Sequence, residues 1–170
     1  MNLSTWLLYV AAVFVLTVTP GPSVLMCVST SVNLGARKAF VTSLGSTSAI
    51  VGLMVLSALG LGTLLAASET WFTALKWAGA AYLAYLGVRA LLAPGADIRV
   101  QGGAVAGGKR LFAQGFLVGL SNPKALLFFG ALFPQFLDPA APQVPQFLVL
   151  GATFVFFELG WLMVYALTAS

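Results

Sequence analysis

Long apolar runs separated by short polar punctuation make up most of the chain. Four runs, about 39 to 67, 71 to 92, 111 to 136 and 146 to 169, each reach the roughly 20 residues a helix needs to cross a bilayer. A fifth, about 5 to 31, precedes them. The pattern predicts an all-α fold, a polytopic transmembrane helix bundle with five spans. Two of the runs are interrupted: the first by Thr19-Pro20-Gly21-Pro22 and the fourth by Ser121-Asn122-Pro123. Proline lacks an N–H and its ring clashes with the preceding turn, so both spans are expected to be helices broken near their middles. The other three are expected to run on unbroken. Gly45, Gly52, Gly60 and Gly62 fall inside the second span, where small residues let neighbouring backbones approach closely.

The charges between the runs set an orientation. Arg37 and Lys38 lie between spans one and two, and Arg89, Arg99, Lys109 and Arg110 at or between spans three and four. Glu69 and Asp138 lie in the alternate connections. The bias of basic residues toward the cytoplasm then places the N-terminus in the periplasm and the basic loops inside. The stretch 93 to 110, with Gly95, Gly102, Gly103, Gly107 and Gly108, is expected to be a cytoplasmic linker. It divides one transporter domain, 1 to 170, into a repeat half 1 to 92 and an incomplete half 111 to 170. Asn33-Leu34-Gly35-Ala36-Arg37-Lys38-Ala39-Phe40 and Gly107-Gly108-Lys109-Arg110-Leu111-Phe112 are both glycine-basic-Phe entries to a helix. Span one would run inward and span four outward, so a three-helix repeat beginning at each is inverted. On that logic the sixth span is missing, the chain being either truncated or reliant on a neighbouring subunit.

Composition narrows the chemistry. With 60% hydrophobic and 7% charged residues, against roughly a quarter charged in soluble domains, the chain has too little polar surface to face water all round. The net charge of +4 is scattered between apolar runs, which argues against nucleic acid as a partner. There is no histidine, and Cys27 is the only cysteine, so no intramolecular disulfide and no usual metal site or cofactor is expected. Met1-Asn2-Leu3-Ser4-Thr5 lacks a basic stretch before its apolar run, so the first span is expected to be retained rather than cleaved. Neither paired carboxylates nor an activated nucleophile is recognisable, which argues against an enzyme.

Broken helices place helix termini and free carbonyls near the membrane midplane, where transporters hold their cargo. Thr19, Pro20, Gly21, Pro22 and Ser23 form one candidate subsite; a substrate carboxylate would sit against the half-helix that starts near Ser23, unless local Thr and Ser side chains merely satisfy a kink. Asn122, Pro123 and Lys124 form the second. A cation near the bilayer centre costs at least about 2.5 kcal/mol, so Lys124 needs compensation. Glu158 is the only carboxylate in the middle of a span. It can pair statically with Lys124, or take a substrate ammonium and carry a proton. Lys76 either snorkels to the interface beside Trp71 and Trp77 or joins the charge pairing. Thr42, Ser43, Ser46, Thr47 and Ser48, with Asn33, either line a pathway or bond between helices. Phe128, Phe129, Phe133 and Phe136 are expected to pack, and Cys27 to be a small core residue.

Several separated motifs in order resemble one family. Thr19-Pro20-Gly21-Pro22, Gly35-Ala36-Arg37, the run Leu75-Lys76-Trp77-Ala78-Gly79-Ala80-Ala81-Tyr82-Leu83 with Tyr85-Leu86-Gly87, and Ser121-Asn122-Pro123-Lys124 followed by Phe133-Pro134-Gln135-Phe136 are similar to those of the LysE/RhtB amino-acid exporters. The resemblance spans nearly the whole chain. It implies a bacterial inner-membrane exporter of homoserine, threonine, other neutral amino acids or lysine, working by proton antiport and alternating access. It also implies an acidic residue in the fifth span, which Glu158 matches, and a sixth helix, from which this chain departs. The expected partners are an amino acid, protons and lipid, with a homodimer possible through the small residues of span two. The rivals are a non-transporting scaffold, a truncated inactive carrier and a passive pore that ignores a proton gradient.

Overall fold

A computed structural model describes residues 1–67 and 107–169, together with Trp77. The expected third span, the linker up to residue 106, and Glu69, Lys76, Arg89 and Arg99 lie outside the described residues. The chain forms α1 (Leu3–Val18), α2 (Pro22–Leu34), α3 (Ala36–Ala67), α4 (Gly108–Leu120), α5 (Pro123–Leu127), a π-helical turn (Phe128–Leu132), a 3-10 turn (Phe133–Phe136) and α6 (Gln143–Thr168). There is no strand among the described residues, and the all-α expectation holds.

Local chemistry fixes the ends. Asn2 caps α1 by accepting from the Thr5 amide at 2.8 Å, satisfying one of the donors that a helix start leaves free. Both predicted breaks are present: α1 and α2 meet at a bend of 49°, and α4 stops at Leu120 before α5 begins at Pro123. Gly35, with φ +87°, lets the chain pass straight from α2 into α3 through a conformation that side chains disfavour. The two glycine-basic-Phe entries do open helices, α3 at Ala36 and α4 at Gly108, so the helix begins inside what the sequence suggested was linker.

Ala36–Gly60 and α6 are each long and apolar enough to cross a membrane, and α1 with α2 is so only as a pair, bent in the manner of a broken span or a re-entrant loop. The fourth apolar run is divided among shorter pieces, α4, α5 and the two turns that follow. Large apolar side chains cover the outside, Phe156 on α6 being 74% exposed and Leu59 on α3 73%. A surface of this kind belongs to an α-helical membrane protein, with hydrocarbon as its solvent.

Helices α3 and α4 touch along their backbones. A Cβ on Gly115 would meet the Thr42 carbonyl, one on Gly45 the Phe112 carbonyl, and one on Gly119 would lie 2.9 Å from the Ala49 Cβ, closer than side chains tolerate. Close packing therefore accounts for Gly45, as expected. It does not account for Gly52, where a Cβ would meet nothing within 4 Å.

Two apolar clusters fill the interior. The larger gathers Tyr9, Val13 and Leu16 of α1, Ile50 and Met54 of α3, and Leu150 and Phe154 of α6 around Phe128, Phe129 and Phe133. The smaller joins Val24, Cys27 and Val28 of α2 to Ala39, Leu162 and Ala166. The phenylalanines and Cys27 thus pack as expected.

Candidate functional site

Every described helix that reaches both clusters, or borders one of them at a break, does so through buried polar residues. On α1 Leu16 is followed by Thr17; α2 opens on Ser23 before Val24; α3 passes Ser43, Ser46 and Thr47 between Ala39 and Ile50. Asn122 and Lys124 precede Ala125, and on α6 Glu158 stands one turn from Phe154 and one from Leu162. A polar layer therefore separates the two apolar cores.

The two breaks meet in that layer, and proline chemistry explains how. In an unbroken helix the Leu16 carbonyl would accept from residue 20 and the Val18 carbonyl from residue 22. Both of those residues are proline and have no N–H to give. Side chains from elsewhere supply the missing donors. The Lys124 ammonium donates to the Leu16 carbonyl and, at 2.8 Å, to the Thr19 carbonyl. The Tyr165 hydroxyl donates to the Val18 carbonyl at 2.9 Å. Lys124 thereby also places its charge at the negative end of the α1 dipole. Its Cε and Nζ pass 3.6 Å from the position a Cβ would take on Gly21.

Asn122 completes the junction. Its side-chain oxygen accepts from the Lys124 amide at 3.2 Å, capping α5, and its side-chain nitrogen donates to the Ser23 hydroxyl at 3.4 Å. Pro123 occupies the first helical position of α5, where a missing N–H costs nothing. Thr19, Gly21, Ser23, Asn122 and Lys124 are thus brought together around the breaks that Pro20, Pro22 and Pro123 create.

Glu158 stands apart from that network. The residue is 7% exposed, yet among the described residues no basic nitrogen lies within 4.0 Å of its carboxylate and no hydrogen bond reaches it. The one ion pair among the described residues joins the Met1 ammonium to Asp138 at 3.7 Å. Two of the three Lys124 N–H groups are engaged on carbonyls at the end of α1. Glu158 and Lys124 form no ion pair within 4.0 Å; the ammonium instead bonds to carbonyls beside the prolines. Beside Glu158, the Cys27 thiol donates to the Leu162 carbonyl and accepts from the Ser43 hydroxyl, both at 3.3 Å.

Some expected pathway residues point away. Asn33 and Ser48 are exposed and bond back to their own helices, to Ser29 and Leu44. Tyr165 was not singled out by sequence, although it lies two turns beyond Glu158 and its hydroxyl is a rarity in an apolar span. Gly115 and Gly119 were also passed over, and their Gly-x-x-x-Gly spacing is the signal that marks them.

The LysE type translocator family model matches residues 14–170. The chain belongs to the LysE type translocator family. It is 38% identical over its whole length to a homoserine/homoserine lactone efflux protein of Salmonella typhimurium, of which it covers 82%. Similarity extends to a leucine efflux protein of the same organism, 32% identical over 89% of this chain and 72% of the relative. A membrane protein of Vibrio cholerae is 36% identical over 91% of this chain and 76% of its own length. No solved structure matches. This translocator is accordingly a membrane transporter and not an enzyme.

Proposed function

We propose that this translocator exports amino acids and their close derivatives across the bacterial inner membrane, and that Glu158 receives the substrate ammonium. The observation that carries the assignment is a buried carboxylate in the polar layer with no ion pair among the described residues. A buried charge is costly unless paired, and a transported cation supplies the pair. The two names borne by the Salmonella relative sharpen the chemistry. Homoserine has both an ammonium and a free carboxylate; its lactone has esterified the carboxylate to itself and keeps only the ammonium. A carrier of both must hold the ammonium as the common handle. Where a carboxylate is present, it faces the start of α2, whose first amide groups have no side-chain cap.

Glu158 also suits proton antiport. Ionised, it binds the ammonium; protonated, it lets the empty carrier return. Alternating access rocks the half containing α1 to α3 against the half containing α4 to α6, with the polar layer between them and the repeats inverted. The N-terminus is periplasmic and the loops bearing Arg37, Lys38, Lys109 and Arg110 are cytoplasmic.

The test is uptake of labelled homoserine, threonine, leucine and lysine into inside-out vesicles, with and without an imposed proton gradient. Gradient-dependent accumulation of one class, lost in Glu158→Gln, is the expected result. Flux that ignores both the gradient and the substitution would indicate a passive pore, and no flux above empty vesicles would leave a scaffold or an inactive carrier.

A further inference from the structure

Buried hydroxyls among the described residues have a habit from which two depart, that of Tyr9 inside the larger apolar cluster and that of Thr47 in the polar layer. Thr17, Thr30, Thr42 and Ser46 each donate to a carbonyl three or four residues back on their own helix, and the Ser43 hydroxyl shares its one proton between the Ala39 carbonyl and the Cys27 sulfur. Ser31 donates across to the Ala166 carbonyl, and Ser23 accepts from Asn122. Thr47, 4% exposed, has no hydrogen-bond partner for its hydroxyl among the described residues. Its obvious local acceptor, the Ser43 carbonyl, already accepts from Ser46.

The packing of α3 against α6 locates that hydroxyl. Ala39 shares a cluster with Ala166. Four residues on, Ser43 connects through the Cys27 sulfur to the Leu162 carbonyl. Further along, the Met54 Cε lies 3.9 Å from the Cβ position of Gly151. The helices are therefore antiparallel, and each step of four forward on α3 matches four back on α6. Thr47 falls level with Glu158. It also shares the face of α3 that carries Ser43, Ile50 and Met54, residues spaced by three and four, and this is the face turned to α6. On α6 the buried residues Leu150, Phe154, Glu158 and Leu162 form the answering stripe.

We infer that Thr47 is a second contact for the substrate ammonium, accepting one of its three N–H groups while the Glu158 carboxylate takes the others. This rests on the assignment of Glu158 above and extends it to a two-point site for a primary ammonium, built from two buried side chains on facing helices, a hydroxyl with no hydrogen bond and a carboxylate with no ion pair among the described residues. Thr47 is not needed to hold α3 in place, since the neighbouring hydroxyls serve the backbone and the glycines form the crossing with α4.

The experiment measures equilibrium binding of homoserine to the detergent-purified full chain by titration calorimetry, alongside flux in proteoliposomes. The variants are Thr47→Val, Thr47→Ser, Glu158→Gln and, as a control at the α4 crossing, Thr42→Val. Loss of a hydrogen bond to a charged group should weaken homoserine binding and raise its KM about ten-fold in Thr47→Val, with maximal flux within about two-fold. Thr47→Ser should restore both, Thr42→Val should leave affinity unchanged, and N-acetylhomoserine, which lacks the ammonium, should not bind. An unchanged Kd in Thr47→Val overturns the inference while gradient-driven flux lost in Glu158→Gln leaves the transport assignment standing. Equal losses of affinity in Thr47→Val and Thr47→Ser likewise overturn it, as does failure of the wild-type chain to bind homoserine. Homoserine binding that depends on Thr47, with no flux, would support the site and remove the transport assignment instead.

Discussion

Lys124 shows how a residue that is expensive by itself becomes necessary in context. Its ammonium replaces the N–H that Pro20 cannot offer to Leu16, so lysine and proline act as one unit. Lys124→Met should orphan the buried Leu16 carbonyl, at about 1–3 kcal/mol, and at a smaller cost the half-buried Thr19 carbonyl. Restoring a backbone donor with Pro20→Ala should offset part of that loss, so a double-mutant cycle read by thermal unfolding in detergent should give a coupling of about 1 kcal/mol. Additive effects would mean that the ammonium does not stand in for the missing amide. Sequence reasoning found both residues, because a double proline and a mid-span lysine are conspicuous in apolar runs. It had no means of finding which carbonyls the lysine would reach, since those are fixed by how α5 lands against α1. The same limit applies to Glu158, for which the sequence left open a pair with Lys124 or a place for a substrate ammonium.

At the scale of elements, the α3–α4 crossing depends on glycine in three places and not in a fourth. Gly115→Ala should push Thr42 and its carbonyl away and destabilise the bundle by about 1–3 kcal/mol, as overpacking does in well-filled cores. Gly52→Ala, with open space around its Cβ position, should be neutral or slightly stabilising, because alanine is the better helix former. Unfolding midpoints of the two variants in the same detergent decide the matter, and equal values would refute the contrast. Helix positions and breaks were legible in the sequence because hydropathy and proline act locally. The glycines were only partly legible, since a small residue looks the same whether it faces a neighbouring backbone or nothing. The π-helical turn at Phe128–Leu132 was invisible, there being no local signal for a carbonyl that bonds five residues ahead.

For the whole molecule, orientation is the property most directly open to test. In intact cells a membrane-impermeant maleimide should label Ala140→Cys, in the connection between the 3-10 turn and α6. It should label Arg37→Cys only after permeabilisation. The native Cys27, 1% exposed and engaged on both sides, should stay silent in either case. Labelling in the reverse pattern would invert the topology and turn efflux geometry around. The bend between α1 and α2 matters at this scale too. Backbone hydrogen bonds normally set such an angle from within, but here its two vacated carbonyls are gripped by Lys124 of α5 and Tyr165 of α6. The bend in α1 and α2 is therefore held from outside itself, and any shift of α5 or α6 would pull on the carbonyls at the end of α1 directly, through side chains.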